Sequence, residues 1–240
     1  MNAVVIIPTY NERDNISPLV EALLRHDGVR VLVVDDQSPD GTGEVADEVA
    51  RRCAGRVEVL HRTSTRGFGR SYVDGIRHAI ASGAELICQM DADFSHDPAR
   101  LPALLAAADR ADLVIGSRYV PGGAVVNWPR RRLLLSRFAN MYVRAVTHVK
   151  ARDCTSGFRC WRRDALASLP LDQFVSYGYS FLVEMLFIAS RQGRRIVEVP
   201  ITYVERREGQ SKMSRGVILE SAITPWRLIA SRKTARPTAR

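Results

Sequence analysis

Two aspartates, Asp91 and Asp93, flank Ala92 directly after the apolar run Leu86 to Met90. Carboxylates one residue apart at the end of an extended segment point the same way, and a divalent cation carrying a diphosphate relieves their repulsion better than water does. Hard oxygen donors in so small a number suit Mg²⁺ or Mn²⁺ and leave coordination positions for substrate phosphates. In the same turn, His96 reads as an exposed histidine rather than a third ligand, and Asp97-Pro98 as the cap and first position of the next helix. Two other turns carry related chemistry. The first apolar run ends in Pro8-Thr9-Tyr10-Asn11-Glu12 and the second in Asp35-Asp36-Gln37-Ser38-Pro39-Asp40-Gly41-Thr42. No GxGxxG follows the first run, and Gly67-Phe68-Gly69 is a lone GxG, so a dinucleotide-type phosphate loop is absent from the pattern. An aromatic and a carboxylate after one strand, with a carboxylate after the next, suit a base and its ribose: Tyr10 can stack while Glu12 and Asp36 accept hydrogen bonds. The competing reading is that Asp36, Ser38 and Asp40 cap the following helix.

These turns need a scaffold that brings strand ends together. Ala3 to Ile7, Val31 to Val34, Val57 to Leu60, Leu86 to Met90 and Leu113 to Gly116 read as buried strands. Between them, Asn15 to Arg25, Gly43 to Arg51, Gly69 to Ala81 and Pro98 to Ala108 read as helices, which predicts a mostly parallel sheet covered on both faces. Sites in such sheets lie beyond the carboxyl ends of the strands. Past residue 120 come a basic stretch, a polar Asp153 to Arg159 segment, a helix near Tyr179 to Arg191, a strand from Arg195 to Val199, the charged loop Glu205 to Ser214 and a helix from about Arg215 to Ala230.

The 240 residues, 46% hydrophobic and 25% charged, are those of one folded domain rather than a disordered or fibrous chain. Thirty-five Lys and Arg against 26 Asp and Glu give a net charge of +9, which calls for an anionic partner: nucleic acid, an anionic membrane or a phosphorylated substrate. From Leu113 through Arg152 there is no Asp or Glu, while Arg118, Arg130, Arg131, Arg132, Arg137, Arg144, Lys150 and Arg152 are basic. Leu134, Phe138, Met141, Ala145 and Val149 form an apolar helical stripe among them, able to lie in a lipid headgroup layer or to pack on the sheet. The four cysteines show no CxxC spacing, the start lacks a signal-peptide pattern, and no run is long enough to span a bilayer, so a cytoplasmic chain with reduced thiols is expected. No aromatic stacking platform accompanies the basic residues, which disfavours a nucleic-acid module.

Pro8 to Glu12, Asp35 to Thr42, Asp91-Ala92-Asp93, Gly116-Ser117-Arg118-Tyr119 and Ser211-Lys212 occur in that order over almost the whole chain. The set resembles the polyprenol-phosphate (dolichol-phosphate) mannosyltransferases of glycosyltransferase family 2. Gly116 to Gly123, Asn127-Trp128-Pro129 and Gly209 to Ser214 are similar to the mannosyl branch and to its actinobacterial members in particular. The resemblance implies an α/β chain with the GT-A nucleotide-diphospho-sugar transferase fold, a single mostly parallel sheet flanked by helices, with a catalytic domain over 1–230 and a basic tail over 231–240. It implies inverting transfer of mannose from GDP-mannose to polyprenyl or dolichyl phosphate, with UDP-glucose or another nucleotide sugar as the rival donor. By the same resemblance Pro8, Tyr10, Glu12, Val34 and Asp36 hold the guanosine; Asp91, Ala92 and Asp93 hold the diphosphate and the metal; and Arg118, Arg206 and Lys212 neutralise phosphates. Arg132 and Ser136 join Arg118 at the acceptor phosphate, Ser95 stands where some relatives carry Gln, and Asp153 and Glu184 either contact sugar hydroxyls or pair with arginine. Relatives without membrane spans rely on membrane partners, so peripheral attachment at the cytoplasmic face follows as an expectation. A phosphate monoester with a second pKa near 6 is largely dianionic at neutral pH, so such a reaction needs no dedicated protein base.

Overall fold

The computed structural model describes residues 2–174, 176, 178, 180–205 and 215–231, with side chains in the last stretch from Glu220 onward. The chain begins β1 (Ala3–Thr9), α1 (Arg13–Leu24), β2 (Val29–Asp35), α2 (Thr42–Arg52), β3 (Val57–His61), α3 (Phe68–Ala81) and β4 (Leu86–Gln89). It continues with α4 (Leu101–Ala107) between two short 3₁₀ turns, β5 (Leu113–Ser117), β6 (Ala124–Val126), α5 (Arg130–Thr147), β7 (Arg159–Arg162) and α6 (Arg163–Ala167). Last come α7 (Ser180–Arg191), β8 (Ile196–Pro200), β9 (Thr202–Val204) and α8 (Arg215–Ala230). Among the described residues seven strands form one sheet in the order β3-β2-β1-β4-β7-β5-β8, and β6 and β9 pair in a second, two-stranded sheet.

The apolar runs are continuous because both faces of the main sheet are covered. Along β1, Ala3, Val5 and Ile7 face one core with Ile16, Leu19 and Leu23 of α1, while Val4 and Ile6 face another with Tyr72 and Ile76 of α3 and Phe181 and Met185 of α7. Each such Val, Leu, Ile, Phe or Met side chain taken out of water contributes about 1.5–3 kcal/mol, so the two faces hold the strand from both sides. Gly75 sets how closely α3 approaches: a Cβ there would stand 2.7 Å from Ile6 Cγ2 and 2.9 Å from Val34 Cγ2.

The expected α/β sheet is present, with two additions that periodicity did not show. β7 enters antiparallel between β4 and β5, pairing Cys88 with Cys160 and Ile115 with Arg159. Its sequence, Arg-Cys-Trp-Arg, reads as polar, yet Arg159 and Trp161 are fully buried. Because β7 runs backwards, the segment leading into it, residues 153–158, lies at the rim where the parallel strands end. The second addition is the β6–β9 sheet, whose strands are three residues each and too short for a pattern. Among the described residues no helix is long and apolar enough to cross a membrane.

Candidate active site

Three strand-end turns share one backbone device. Asn11 after β1, Gln37 after β2 and Phe94 after β4 adopt left-handed φ values of 60°, 62° and 57°. For a bulky side chain such as Phe this conformation is costly, and strained backbone of this kind concentrates where a chain aims functional groups.

On the side of β1 and β2, Pro8 pairs in register with Val34 and Thr9 with Asp35, which sets the sequence-expected nucleoside residues side by side. Arg66 lies over the ring of Tyr10, its guanidinium carbon 4.1 Å from the centroid, and Glu12 accepts from Asn15 Nδ2 at 3.0 Å. In the second turn Gly41 stands at the N-cap of α2, and no side chain bonds there as a cap. Asp40 accepts from the Thr42 amide and hydroxyl at the start of α2, at 3.0 and 2.6 Å. Asp36 turns instead to the loop after β3, taking an ion pair from Arg62 and a hydrogen bond from the Gly67 amide at 2.8 Å. Arg62 also pairs with Asp74 at 2.7 Å, so a buried arginine ties two carboxylates to the loop that ends in Gly67.

β4 ends at Gln89, before the Asp91 turn, so strand alternation does not aim the two aspartates. The turn does. Ser95 donates its backbone N–H to Asp93 Oδ1 at 3.1 Å, and Asp97 Oδ1 accepts from the Ala99 amide as the expected cap. Both aspartates lie near the Tyr203 hydroxyl, whose pKa is raised by burial and then by the charges of Asp91 and Asp93. The Asp91 side chain is 24% exposed, whereas Asp93 is buried. Backbone at Gly157 closes behind Asp91, since a Cβ there would come to 3.2 Å of Oδ2. Among the described residues no group of three His, Cys, Asp or Glu side chains could cage a metal. Two hard-oxygen carboxylates, one of them open to solvent, fit a divalent cation whose remaining ligands come from a diphosphate and water.

His96 departs from its expected exposure. It is 1% exposed, stacked on Phe158 at 5.3 Å and edge-on to Tyr203 at 5.4 Å. The Asp91 amide points to its Nδ1 at 3.5 Å, and burial drives its pKa down to about 4 against the opposing charge of Asp93. A neutral imidazole therefore pins the turn from behind.

Arg118, at the end of β5, is buried and anchored by Asp153 through Nε at 2.8 Å, Nη2 at 2.7 Å and its own amide at 2.9 Å. Burial would raise the Asp153 pKa, but the Arg118 charge and hydrogen bonds outweigh it and hold the carboxyl below its usual range. Thr155 and Asn140 extend the network, and Glu198 accepts the amides of Arg152 and Asp153 at 2.8 and 2.9 Å. Asp153 thus takes the arginine-pairing alternative. Glu184, on α7, is buried and accepts from the Ser176 amide at 3.0 Å. Arg159 has a different environment: it donates to the carbonyls of Ser156, Leu182 and Cys154 at 2.7–2.9 Å, and burial lowers its pKa to about 10. Arg159, Arg62, Trp128 and Tyr203 carry no spacing signal. One signal was available: the acid-free run ends at Asp153, the carboxylate that neutralises Arg118.

Arg132 pairs with Glu205 at 2.5 Å and lies 4.1 Å over Trp128, and Ser136 accepts from the Tyr119 hydroxyl at 2.7 Å. The stripe on α5 faces outward: Leu134 is 64% exposed and Phe138 and Met141 59% each, while Val149 is buried past the helix end. α8 packs against α5, with Tyr142 donating to the Ala222 carbonyl at 2.6 Å, and exposes Ile223, Trp226 and Ile229. Arg206 and Lys212, as well as tail residues 232–240, lie outside the described residues.

Two relatives match along nearly the full length. An undecaprenyl-phosphate mannosyltransferase of Micrococcus luteus is 48% identical over 235 residues, covering 96% of each chain. A polyprenol monophosphomannose synthase of Mycolicibacterium smegmatis is 46% identical, covering 98% of this chain and 91% of its own. Glucosyl-3-phosphoglycerate synthase of Mycobacterium tuberculosis, solved with Mn²⁺, UDP-glucose and phosphoglyceric acid, superposes with a TM-score of 0.69 at 19% identity, over 93% of this chain and 79% of that one. At that identity the likeness establishes the fold, which is GT-A. The family model for glycosyl transferase family 2 matches residues 4–169, and with the geometry of the strand-end carboxylates this places the chain in that family.

Proposed function

We propose that this protein is an inverting mannosyltransferase that moves mannose from GDP-mannose to polyprenyl phosphate, giving polyprenyl β-mannosyl phosphate as a lipid-linked mannose donor. The observation that carries the reading is the meeting at Tyr203 of the Asp91–Asp93 turn, through His96 at 5.4 Å, and of Arg118, whose guanidinium carbon lies 5.3 Å from the ring centre, in a chain 48% and 46% identical to relatives named for mannosyl transfer to a polyprenol. The catalytic domain is taken as residues 1–230.

Pro8, Tyr10, Glu12, Val34 and Asp36 receive the guanosine, with Asp36 also fixing the loop through Gly67. Asp91, Ala92 and Asp93 hold the diphosphate, and Mg²⁺ or Mn²⁺ bound to the two carboxylates would neutralise the charge that develops on the leaving group. Arg206 and Lys212 add positive charge to the diphosphate. Arg118, with Arg132 and Ser136, holds the acceptor phosphate, whose dianionic oxygen attacks the anomeric carbon directly; the chain's contribution is alignment rather than proton removal. A single in-line displacement inverts the sugar. The exposed apolar side chains of α5 and α8 beside Arg130 and Arg131 favour peripheral attachment to the cytoplasmic face of a membrane, where a lipid acceptor resides.

Transfer of radiolabel from GDP-mannose and from UDP-glucose to polyprenyl phosphate tests the reading. The expected product forms from GDP-mannose, extracts into organic solvent and disappears when the divalent cation is chelated. Exclusive use of UDP-glucose, or a product that stays in water, would overturn it.

A further inference from the structure

Beside Arg118 a groove of about 300 Å³ opens between α5 and the loop after β5, with Arg118, Tyr119 and Gly123 on one wall and Arg137, Met141 and Arg144 on the other. Three guanidinium groups line it and, among the described residues, no carboxylate does. Arg137 and Arg144 stand two helical turns apart and are exposed, and among the described residues neither has an acidic partner. The other arginines near the rim are occupied: Arg62 by Asp36 and Asp74, Arg118 by Asp153, Arg132 by Glu205 and Trp128. The chain composition explains the difference, because no Asp or Glu occurs from Leu113 through Arg152 to neutralise α5 from within. The outer lip is apolar, formed by Met141 with Phe138 and Leu134 exposed beside it.

A ligand complementary to this groove carries a multiply charged anion at one end and a hydrocarbon at the other. We propose that Arg137 and Arg144 bind the phosphate of the polyprenyl monophosphate acceptor and deliver it to Arg118, with the isoprenoid chain leaving across Met141 and Phe138. The assignment rests on the acceptor named under the proposed function and adds residues to it. Its inner end reaches the reaction centre, since the Arg118 guanidinium carbon lies 5.3 Å from the centre of the Tyr203 ring, which packs edge-on to His96 of the Asp91 turn. Arg132, paired with Glu205 and stacked on Trp128, keeps its place at that phosphate, and Arg137 and Arg144 add charge that no acidic side chain among the described residues offsets.

Farnesyl phosphate, a short acceptor usable without a membrane, separates the substrate from bulk lipid. Steady-state transfer and calorimetric binding are measured for the wild type, the pair Arg137→Gln with Arg144→Gln, and the pair Arg137→Lys with Arg144→Lys. Loss of two charge-assisted contacts should raise the acceptor KM and Kd about 10- to 100-fold in the Gln pair, with the GDP-mannose KM unchanged and most of the affinity retained by the Lys pair. An unchanged acceptor KM in the Gln pair overturns the assignment while leaving the activity standing. The assignment is equally overturned if the Gln pair loses only binding to phosphatidylglycerol vesicles, because the groove would then serve bilayer headgroups. A wild type that neither binds farnesyl phosphate nor transfers any sugar to it refutes the acceptor reading itself, and the groove assignment falls with it.

Discussion

The turns after β1, β2 and β4 and the long excursion between β5 and β7 deliver side chains to the same rim by opposite means. In the first region most carboxylates are oriented by their own turn: Asp93 accepts from Ser95 two residues on, Asp35 from Ser38 and Asp40 from Thr42, with Asp36, held by Arg62 and Gly67, the exception. In the second, Arg118 is held by Asp153, 35 residues away, and that carboxylate's loop is held in turn by Glu198, Asn140 and Arg159. Locally oriented groups can be removed without disturbing the frame, whereas groups in the second region are part of it. Chemistry and stability should therefore separate in one region and fail together in the other.

Asp91→Ala is the sharpest test of separability. Loss of a carboxylate proposed to hold cation and diphosphate should lower kcat/KM at least about 10³-fold, with a urea midpoint equal to that of the wild type or slightly higher, because a like-charge neighbour of Asp93 has gone. Full retained activity would break the assignment of the turn. Asp153→Ala should do both kinds of damage: it leaves a buried guanidinium without its partner, at a cost of about 3–5 kcal/mol, and releases Arg118 from the rim. A cycle adding Arg118→Met alone and Arg118→Met with Asp153→Leu sharpens the point. The double variant should regain most of the stability measured by urea unfolding yet remain inactive, since the arginine is needed at the rim and the pair is not needed for folding. A coupling energy below about 0.5 kcal/mol would show that the two regions are built alike.

The same contrast decides what could be read from the residues. The parallel strands were legible because burial on both faces writes a continuous apolar run, and the turns after them because their carboxylates follow in sequence. β7 was not, since a four-residue strand bounded by Arg159 and Arg162 looks solvated; its burial depends on the Cys154, Ser156 and Leu182 carbonyls, which only the fold brings together. The stripe on α5 was visible, but its direction was not: the same spacing serves a packed or an exposed helix, and Leu134, Phe138 and Met141 take the exposed side. Asp36 kept its place at the rim while its partner, Arg62, lay on a different strand's loop and left no local trace.

His96 lies where the two regions meet, between the Asp91 turn and Tyr203 of the small sheet, and it supplies the smallest and most specific test. Its pKa falls from an ordinary 6.5 to about 4 because the buried ring cannot take up a proton without losing solvation, despite the pull of Asp93. The unfolded chain therefore binds the proton more readily than the folded one. The stability contribution is complete above pH 6.5 and drains away as the pH falls toward 4, by roughly 2–4 kcal/mol over the window. Urea unfolding at intervals from pH 7.5 to 4 should show this decline in the wild type and a shallower one in His96→Phe, whose ring can keep the stack on Phe158 but cannot titrate. Above pH 6.5 the two slopes should coincide, since the other four histidines are common to both. Parallel lines through the whole range would mean that the imidazole is solvated, and the turn bearing Asp91 and Asp93 would then owe its shape to Phe94 and Ser95 alone.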